Sequence, residues 1–407
     1  MIDRRQFMRS TLALAACGLA GPAFGGDRFA AVLARLRGYV DGGTLPFASI
    51  RVARHGQVLA EAHVPGAEAI GPDSVYRIYS MTKPVVAAGV VLLVEDGRLS
   101  LEDPVAKFVP EFSGMEVMGA TADAREPARR MTVAHLLTHS CGLANSWGDA
   151  RVAPLYRESG LVAAKWMYDP EVGGLDGFAR RLGVLPLEFQ PGSDWVYGYG
   201  LDIAGLVIER VSGERLGDFL RRRFFAPLGM EATGFFVPPE RADRLAGLYV
   251  AGEAGITRVS DGSEGAPLRR PFADAGSGGL LSTLEDYGRF ADMLANGGAR
   301  NGVRVMASDS VRLLTKAYEP QAPLLPSLER FGSYEAGSVA HALGGIVRVD
   351  DRAGPGGAGE YAWGGAAGTG FWATPGLGLS VTVMTQLMPV TAMPARDLLR
   401  PLVYAAL

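Results

Sequence analysis

The chain of 407 residues is short of several residue types that would define other classes of protein. It has two cysteines, Cys17 and Cys141; if Cys17 is removed or lipidated, no intramolecular disulfide can form, and Cys141 is most simply a small buried residue. The net charge is −3, which leaves no basic field to attract nucleic acid and no strong acidity to imply disorder. No segment repeats at a fixed spacing, which argues against solenoids and propellers.

Lysine is scarce, because only four of the 40 basic residues are lysines and the rest are arginines. The four are Lys83, Lys107, Lys165 and Lys316. Arginine cannot lose its proton inside a protein, whereas a buried lysine can. A chain that uses arginine so heavily still has lysine at position 83, which makes Lys83 a candidate for proton transfer.

Acidic residues are absent from residues 4–26, which begin with Arg4-Arg5 and continue into the apolar run Leu12 to Ala16. A basic start, a short apolar run and then small residues are typical of a bacterial twin-arginine export signal. We therefore expect residues 1–26 to be a signal and the protein to be exported to the periplasm. An amphipathic first helix is the alternative, which the lack of acids disfavours.

Long apolar runs are also missing outside this segment, since the longest, Val85 to Val94, is too short to span a bilayer. Leu14-Ala15-Ala16-Cys17 resembles a lipoprotein box, in which Cys17 would be acylated after cleavage, but apolar signals often contain a chance cysteine. Membrane attachment is therefore expected only if Cys17 is lipidated.

Hydrophobic residues are plentiful, at 48% of the chain, and the length is sufficient for a large core in two lobes. Strand patterns occur near both ends, in residues 48–63 and 342–386, whereas residues 99–236 are helical with many breaks. The sequence therefore predicts an α/β lobe made from residues 27–98 and 340–407. Residues 99–339 are predicted to form a mainly helical insertion lobe with cleft loops.

Ser80-Met81-Thr82-Lys83 is an S-x-x-K motif at the start of a predicted helix that runs from about Met81 to Asp96 and is apolar on every side. Residues i and i+3 share a helix face, so the amine of Lys83 can reach the hydroxyl of Ser80. The helix N-terminus adds positive potential and free N–H groups, which stabilise developing negative charge. Burial and that potential both disfavour an ammonium, which favours Lys83 as a proton acceptor. The competing interpretation is a capping serine beside a snorkelling lysine.

Several segments, in order along the chain, resemble one family. Residues 77–84, Arg-Ile-Tyr-Ser-Met-Thr-Lys-Pro, resemble the nucleophile segment of class C β-lactamase-like serine hydrolases, especially the family VIII carboxylesterases. The similarity continues through residues 97–105, 131–143 and 278–283. The resemblance implies an α+β fold of the β-lactamase and penicillin-binding-protein type, in which an antiparallel sheet is flanked by helices and carries an inserted, mainly helical lobe.

The family's second element is a catalytic tyrosine on a loop of the helical lobe, and Tyr197 occupies the matching position in residues 191–200. A phenol becomes a usable base only if a nearby cation favours its anion, and Lys83 could supply that charge. Tyr199 is the alternative assignment and is expected to contact substrate; both rings could instead be packing residues at a lobe boundary. Lactamases usually carry Tyr-x-Asn here, whereas this chain has Tyr197-Gly198-Tyr199, so an amide that would bind a β-lactam side chain is missing.

The third family element, Lys-Thr-Gly on an edge strand, is absent, and Trp363-Gly364-Gly365-Ala366 resembles the Trp-Gly-Gly variant of the esterase branch. Glycines let a strand backbone approach a substrate closely. The resemblance implies that the N–H groups of Ser80 and Ala366 form an oxyanion hole and that Trp363, Gly364 and Gly365 line the substrate site. Loss of the Lys-Thr-Gly cation favours neutral esters over penicillins or D-Ala peptides. A glycine-rich turn beside a core tryptophan is the alternative for this segment alone.

Other sites find little support. His135 and His139 are four residues apart, like two zinc ligands, but Leu136 replaces the Glu of H-E-x-x-H and no third ligand is evident, so we expect structural roles and no metal. No G-x-S-x-G elbow or P-loop occurs in the sequence, and no Rossmann glycine pattern opens a predicted helix.

The sequence therefore predicts a serine carboxylesterase that cleaves small-molecule esters through an acyl-enzyme on Ser80, with Lys83 and Tyr197 moving the proton and no cofactor. A β-lactamase, a D-Ala-D-Ala carboxypeptidase or a transesterase with an alcohol acceptor are the alternatives among enzymes. From a different class, a penicillin-binding protein would be acylated without turnover.

Overall fold

The structure is a computed structural model that describes residues 27–121, 124–253, 255–259, 263–318, 337–350 and 356–407. The expected export signal, residues 1–26, lies outside the described residues, and Cys17 lies there with it.

The α-helices are labelled in chain order. They are α1 Ala30–Asp41, α2 Thr82–Glu95, α3 Val133–Leu137, α4 Ala153–Glu158, α5 Gly174–Leu182, α6 Gly200–Ser212, α7 Leu216–Leu220, α8 Ala226–Leu228, α9 Leu284–Ala295, α10 Ser308–Thr315 and α11 Ala395–Ala405. A 3-10 turn, Tyr79–Met81, leads directly into α2.

The strands are labelled in the same way. They are β1 Ala48–Arg54, β2 Gln57–Val64, β3 Tyr76–Arg77, β4 Glu116–Met118, β5 Arg125–Pro127, β6 Tyr249–Gly252, β7 Gly255–Arg258, β8 Leu281–Ser282, β9 Ala299–Arg300, β10 Val303–Arg304, β11 Val339–Ala342, β12 Gly345–Arg348, β13 Tyr361–Gly364, β14 Gly370–Thr374, β15 Leu379–Met384 and β16 Leu387–Met388.

The main sheet joins strands from the two ends of the chain. Its order is β11-β12-β13-β14-β15-β1-β2, and every neighbouring pair is antiparallel. The β1–β15 pair, with Ile50 opposite Val383, joins the N-terminal hairpin to the C-terminal strands. An antiparallel sheet with helices packed against it is an α+β fold, as the sequence predicts.

Helix α9 packs across β14, β15 and β1, while α1 packs against α11 and β2. Arg51 on β1 donates two hydrogen bonds to Asp292 on α9, at 3.2 and 2.9 Å, and both residues are buried. Ser380 on β15 donates a third hydrogen bond to the same carboxylate. This buried ionic contact therefore ties the middle of the sheet to α9.

Helix α2 is buried through its middle, as its unbroken apolar sequence predicts, because every residue from Thr82 to Leu93 is buried. Pro84 lies in the first turn, where no backbone donor is needed, and Gly97 adopts a left-handed φ of +69° just beyond the end of the helix. The helix packs against α6, α7 and α10. It therefore presents its first turn at a fixed place between the sheet and the helical segment.

The packing of α9 bears on the predicted division into lobes. Helices α3 to α8 lie together in the middle of the chain, but α9, inside the predicted insertion of residues 99–339, packs on the main sheet. Its apolar side faces β14, β15 and β1, so α9 belongs with the α/β lobe by packing. We propose that the helical insertion ends before Leu284.

Candidate active site

Ser80 lies in the 3-10 turn that precedes α2, directly after a residue with an unusual backbone. Tyr79 has a φ of +44°, in the left-handed region that non-glycine residues rarely occupy. The hydroxyl of Thr82 donates to the carbonyl of Tyr79 at 2.6 Å and accepts the amide of Leu280 at 3.1 Å. The turn that carries Ser80 is thus held by its own helix and by a distant loop.

The structure brings Ser80, Lys83 and Tyr197 into direct contact. The hydroxyl oxygens of Ser80 and Tyr197 are 2.5 Å apart, and the amine of Lys83 donates to the Ser80 oxygen at 3.2 Å. Ser80 and Tyr197 are half-buried, whereas Lys83 is only 2% exposed. A substrate can therefore reach the hydroxyls while the amine stays out of bulk water.

The Lys83 amine has a second acceptor that the sequence did not reveal. It donates to the carbonyl oxygen of Ser277 at 2.5 Å and lies 4.5 Å from the centre of the Tyr197 ring. A cation held against a ring and two oxygens has a defined position, which a lysine snorkelling to solvent would lack.

Asp202, in the first turn of α6, binds the backbone of Ser277, the residue whose carbonyl accepts from Lys83. Its carboxylate accepts the Ser277 amide at 3.0 Å and is completely buried. Burial raises the pKa of Asp202 to about 6, against the lowering effect of the hydrogen bonds from Ser277 and of the Lys83 charge. Asp202 therefore fixes the turn whose carbonyl holds Lys83.

His139 and Asn145 hold the segment around Tyr197. The carbonyl of His139 accepts the amide of Val196 at 3.0 Å, and its Nδ1 accepts the amide of Gly198 at 3.4 Å. The side-chain amide of Asn145 donates to the carbonyl of Tyr197 at 2.8 Å. Three successive residues are thus held by hydrogen bonds from segments more than 50 residues away in the sequence.

The ring of His139 also packs against the ring of Tyr197, with centroids 4.7 Å apart. The backbone φ of His139 is +57°, so His139, like Tyr79, is a strained residue at the border of the site. Burial, then the charge of Lys83, and then His341 lower the pKa of His139 well below its usual value. The imidazole is therefore neutral at neutral pH, as its role as an acceptor at Nδ1 requires.

The possible zinc pair does not form. His139 lies beyond the end of α3, and His135 instead accepts the Thr132 amide at Nδ1 in a capping box at the start of that helix. Within the described ranges, no group of three or more His, Cys, Asp or Glu side chains is arranged to hold a metal ion.

The Trp363-Gly364-Gly365 segment lies beside the turn that carries Ser80. Trp363 stacks near Tyr197, with ring centroids 6.3 Å apart and planes at 27°. A side-chain carbon on Gly365 would collide with the carbonyl oxygen of Ile78, two residues before Ser80. Glycine is therefore needed for the end of β13 to approach the turn that carries Ser80, and half-buried Ala366 is the next residue along the chain.

Tyr199 faces away from this site. Its hydroxyl lies 2.9 Å from both the Leu161 carbonyl and the Ser146 hydroxyl, and its ring packs against Phe178 and Tyr156. It is 4% exposed, and burial raises its pKa to about 12. The expectation that Tyr199 contacts substrate is therefore corrected, because its side chain is part of the helical core.

Two smaller expectations can be compared with the structure. Cys141 is a free, fully buried cysteine, and burial raises the pKa of its thiol to about 12. Among the helices that the structure describes, none is both long enough and apolar enough to cross a bilayer.

The sequence missed Ser277, Asp202, Asn145 and the support given by His139. A backbone carbonyl such as that of Ser277 leaves no mark in a sequence. Asp202 did leave one, since an acidic residue in the middle of a mainly apolar stretch, five residues after Tyr197, needs hydrogen-bond partners when it is buried.

Comparison with known proteins is consistent with this geometry. The chain is 32% identical to Esterase EstB of Burkholderia gladioli, covering 82% of this chain and 84% of that one. It is 31% identical to a lovastatin esterase of Penicillium rubens, over 72% and 74% of the two chains. The solved structure of EstCE1, a hydrolase with promiscuous acyltransferase activity, superposes with a TM-score of 0.79 over 93% of this chain and 98% of that one, at 22% identity, which establishes the shared fold. The family model for beta-lactamase matches residues 32–405, and the chain therefore belongs to the beta-lactamase family.

Proposed function

We propose that this chain is a serine esterase that forms an acyl-enzyme on Ser80. The observation that carries the proposal is that the Ser80 hydroxyl touches two groups that can exchange protons, the Tyr197 hydroxyl at 2.5 Å and the Lys83 amine at 3.2 Å. A serine becomes an effective nucleophile when a partner within hydrogen-bond reach removes its proton. Membership of the beta-lactamase family supports the same assignment.

In the first step, Tyr197 acts as a phenolate: the Ser80 oxygen attacks the ester carbonyl, and its proton passes to the Tyr197 oxygen, the nearer partner, which becomes a phenol. Lys83 remains a hydrogen-bond donor to Ser80 and Ser277, and its charge stabilises the negative charge shared by the two hydroxyl oxygens. Tyr197 then gives the proton to the departing alcohol oxygen. The ester C–O bond breaks, and the acyl group remains on Ser80.

An oxyanion hole is needed where the carbonyl oxygen becomes negative. We propose the N–H groups of Ser80 and Ala366, because Gly365 brings the end of β13 against the turn that carries Ser80. One such donor contributes about 3–4 kcal/mol to transition-state stabilisation. In the second step, water loses its proton to the same Tyr197–Lys83 pair and attacks the acyl carbonyl. The pair then returns that proton to the Ser80 oxygen as the bond from Ser80 to the acyl carbon breaks and the acid leaves.

Neutral esters fit this site better than β-lactams. Lysine and threonine of the Lys-Thr-Gly element are replaced by Trp363 and Gly364, so that element offers no cation to a substrate carboxylate. Two relatives that are about one-third identical bear esterase names. We propose on this basis that the chain belongs with the class C-like, family VIII carboxylesterases.

Acyl transfer to an alcohol is the second candidate, because the structural neighbour EstCE1 is described as a hydrolase with promiscuous acyltransferase activity. An alcohol can take the place of water in the second step without any change in the catalytic groups. Adding an alcohol acceptor to the assay and measuring the new ester tests this directly.

Turnover of p-nitrophenyl butyrate and nitrocefin distinguishes the candidates. We expect rapid release from the ester, little hydrolysis of nitrocefin and no ester turnover by a folded Ser80→Ala variant. Preferred hydrolysis of nitrocefin would favour the β-lactamase and carboxypeptidase alternatives. A stable adduct without steady-state product would favour a penicillin-binding protein.

We also propose that residues 1–26 direct export to the periplasm, with a lipid anchor only if Cys17 is acylated. The support is the sequence Arg4-Arg5 followed by an apolar run without acidic residues. Cell fractionation with and without substitution of both arginines by lysine tests the proposal.

A further inference from the structure

Of the five tryptophans in the chain, Trp147 alone has an exposed side chain. Trp166, Trp195, Trp363 and Trp372 are at most 8% exposed, whereas Trp147 is 63% exposed. Its ring lies edge-on to the ring of Tyr197, with centroids 6.2 Å apart. An exposed indole beside a catalytic group is a surface that a ligand can cover.

The loop that carries Trp147 is fixed to the same residue. The side-chain oxygen of Asn145 accepts the amides of Trp147 and Gly148 at 2.9 and 2.6 Å, while its amide nitrogen donates to the Tyr197 carbonyl. Asn145 is itself 7% exposed. The backbone of Trp147 and that of Tyr197 are thus held by one buried side chain, so the loop needs little ordering when a ligand binds.

The position beside Tyr197 identifies which part of an ester would meet the indole. In the proposed acylation, Tyr197 receives the proton of Ser80 and gives it to the departing alcohol oxygen. That oxygen must therefore lie next to the Tyr197 hydroxyl, and the group attached to it extends past the Tyr197 ring. The carbonyl oxygen is held on the other side of the reacting carbon, at Ser80 and Ala366.

We propose that Trp147 forms the wall of an alcohol subsite that takes planar, apolar alcohols such as arylmethanols. This inference rests on the proposed esterase function. The indole offers an uncharged flat face, which favours stacking with aromatic groups over contact with short alkyl groups. By microscopic reversibility, an acceptor alcohol in acyl transfer would occupy the same place.

The test compares esters that share an acyl group. For wild type and Trp147→Ala, kcat/KM is measured with ethyl butyrate and with 2-naphthylmethyl butyrate, and then with 2-naphthylmethyl acetate and hexanoate. We expect Trp147→Ala to lower kcat/KM about tenfold for the three naphthylmethyl esters, to a similar degree for each acyl chain, and to leave ethyl butyrate within about twofold. Trp147→Phe should recover most of the loss.

Two controls make the result specific. Phe272→Ala removes another exposed aromatic ring, 55% exposed, and should leave the ratio of naphthylmethyl to ethyl turnover unchanged. Ser80→Ala reports the background for each ester. Equal loss for both alcohols, no loss at all, or a loss that follows the acyl chain would overturn the alcohol subsite. Equal hydrolysis by wild type and Ser80→Ala would instead overturn the proposed function, and this inference with it.

Discussion

At the scale of single residues, the reactivity proposed for Ser80 depends on groups that are far apart in the sequence. Lys83 was predictable because a spacing of three places two side chains on one helix face. Tyr197 lies 117 residues from Ser80 and was predictable only through a family resemblance. Ser277 was not predictable, because it contributes a backbone oxygen that any residue would supply.

Tyr197→Phe removes one oxygen and keeps the ring that packs against His139, Lys83 and Trp363. We expect kcat with p-nitrophenyl butyrate to fall about 10²- to 10⁴-fold, since a positioned proton-transfer group contributes about that factor. Tyr199→Phe is the matched control and should keep kcat within a few-fold, while lowering the free energy of unfolding by about 1 kcal/mol. The reverse pattern would show that the two tyrosines have been misassigned.

His139→Phe keeps an aromatic ring but removes the acceptor for the Gly198 amide. We expect kcat to fall about tenfold with little change in KM, because Tyr197 loses its fixed position while substrate binding elsewhere is intact. The pH dependence of kcat should keep its shape, since the low pKa of His139 keeps it neutral near pH 7 in wild type. His135→Gln serves as the control, and an unchanged kcat in His139→Phe would refute the positioning role.

At the scale of elements, helix α2 was the most predictable. The sequence indicated a buried helix from about Met81 to Asp96, and the structure gives Thr82–Glu95. A long, uniformly apolar run with Pro84 near its start and Gly97 after its end leaves few alternatives. Helix α6 shows what such patterns miss, because its two acidic residues bind other segments: buried Asp202 accepts the Ser277 amide, and half-buried Glu209 accepts the Leu216 amide.

Both α6 carboxyls should make stability depend on pH. Burial raises the pKa of Asp202 to about 6 and that of Glu209 to about 7, so each holds its proton more tightly in the folded than in the unfolded chain. Their contribution to the free energy of unfolding is therefore fully present below about pH 4 and is lost as pH rises through about 6 and 7. Each contributes up to about 3 kcal/mol to this dependence.

Urea unfolding between pH 4 and pH 8 tests this expectation. Asp202→Asn and Glu209→Gln should each flatten the loss of stability with rising pH relative to wild type. Only Asp202→Asn should also lower kcat, because only Asp202 supports the turn that holds Lys83. If both variants lost unfolding free energy with rising pH as steeply as wild type, the raised pKa values of these two carboxyls would be contradicted.

At the scale of the whole molecule, the sheet is closed by pairing the first strands with the last. The sequence predicted that both ends contribute to one α/β lobe, because strand patterns occur at both ends. It did not predict that α9 packs on the main sheet, since an amphipathic helix shows that one face is buried but not against which partner. Asp292 on α9 shows why, because its hydrogen-bond partner Arg51 lies on β1, 241 residues away in the sequence.

Removing the charge of Asp292 should weaken the whole fold. Asp292→Asn leaves buried Arg51 with only the more distant Glu61, at 3.7 Å, as a counter-charge, and we expect a loss of up to about 3–5 kcal/mol in the free energy of unfolding. Asp309→Asn removes an acid that is 83% exposed, paired with Arg312, and should change stability by less than about 0.5 kcal/mol. Equal effects of the two substitutions in urea unfolding would contradict the role of the buried pair.

The proposed mechanism requires that the acyl group is attached to Ser80 during turnover. Rapid quenching of the protein with p-nitrophenyl butyrate, followed by intact-mass and peptide analysis, measures this. We predict an added butyryl group on the peptide that contains Ser80, formed before steady-state turnover and absent from Ser80→Ala. A butyryl group on another residue, or full turnover without any covalent adduct and without Ser80, would contradict the account.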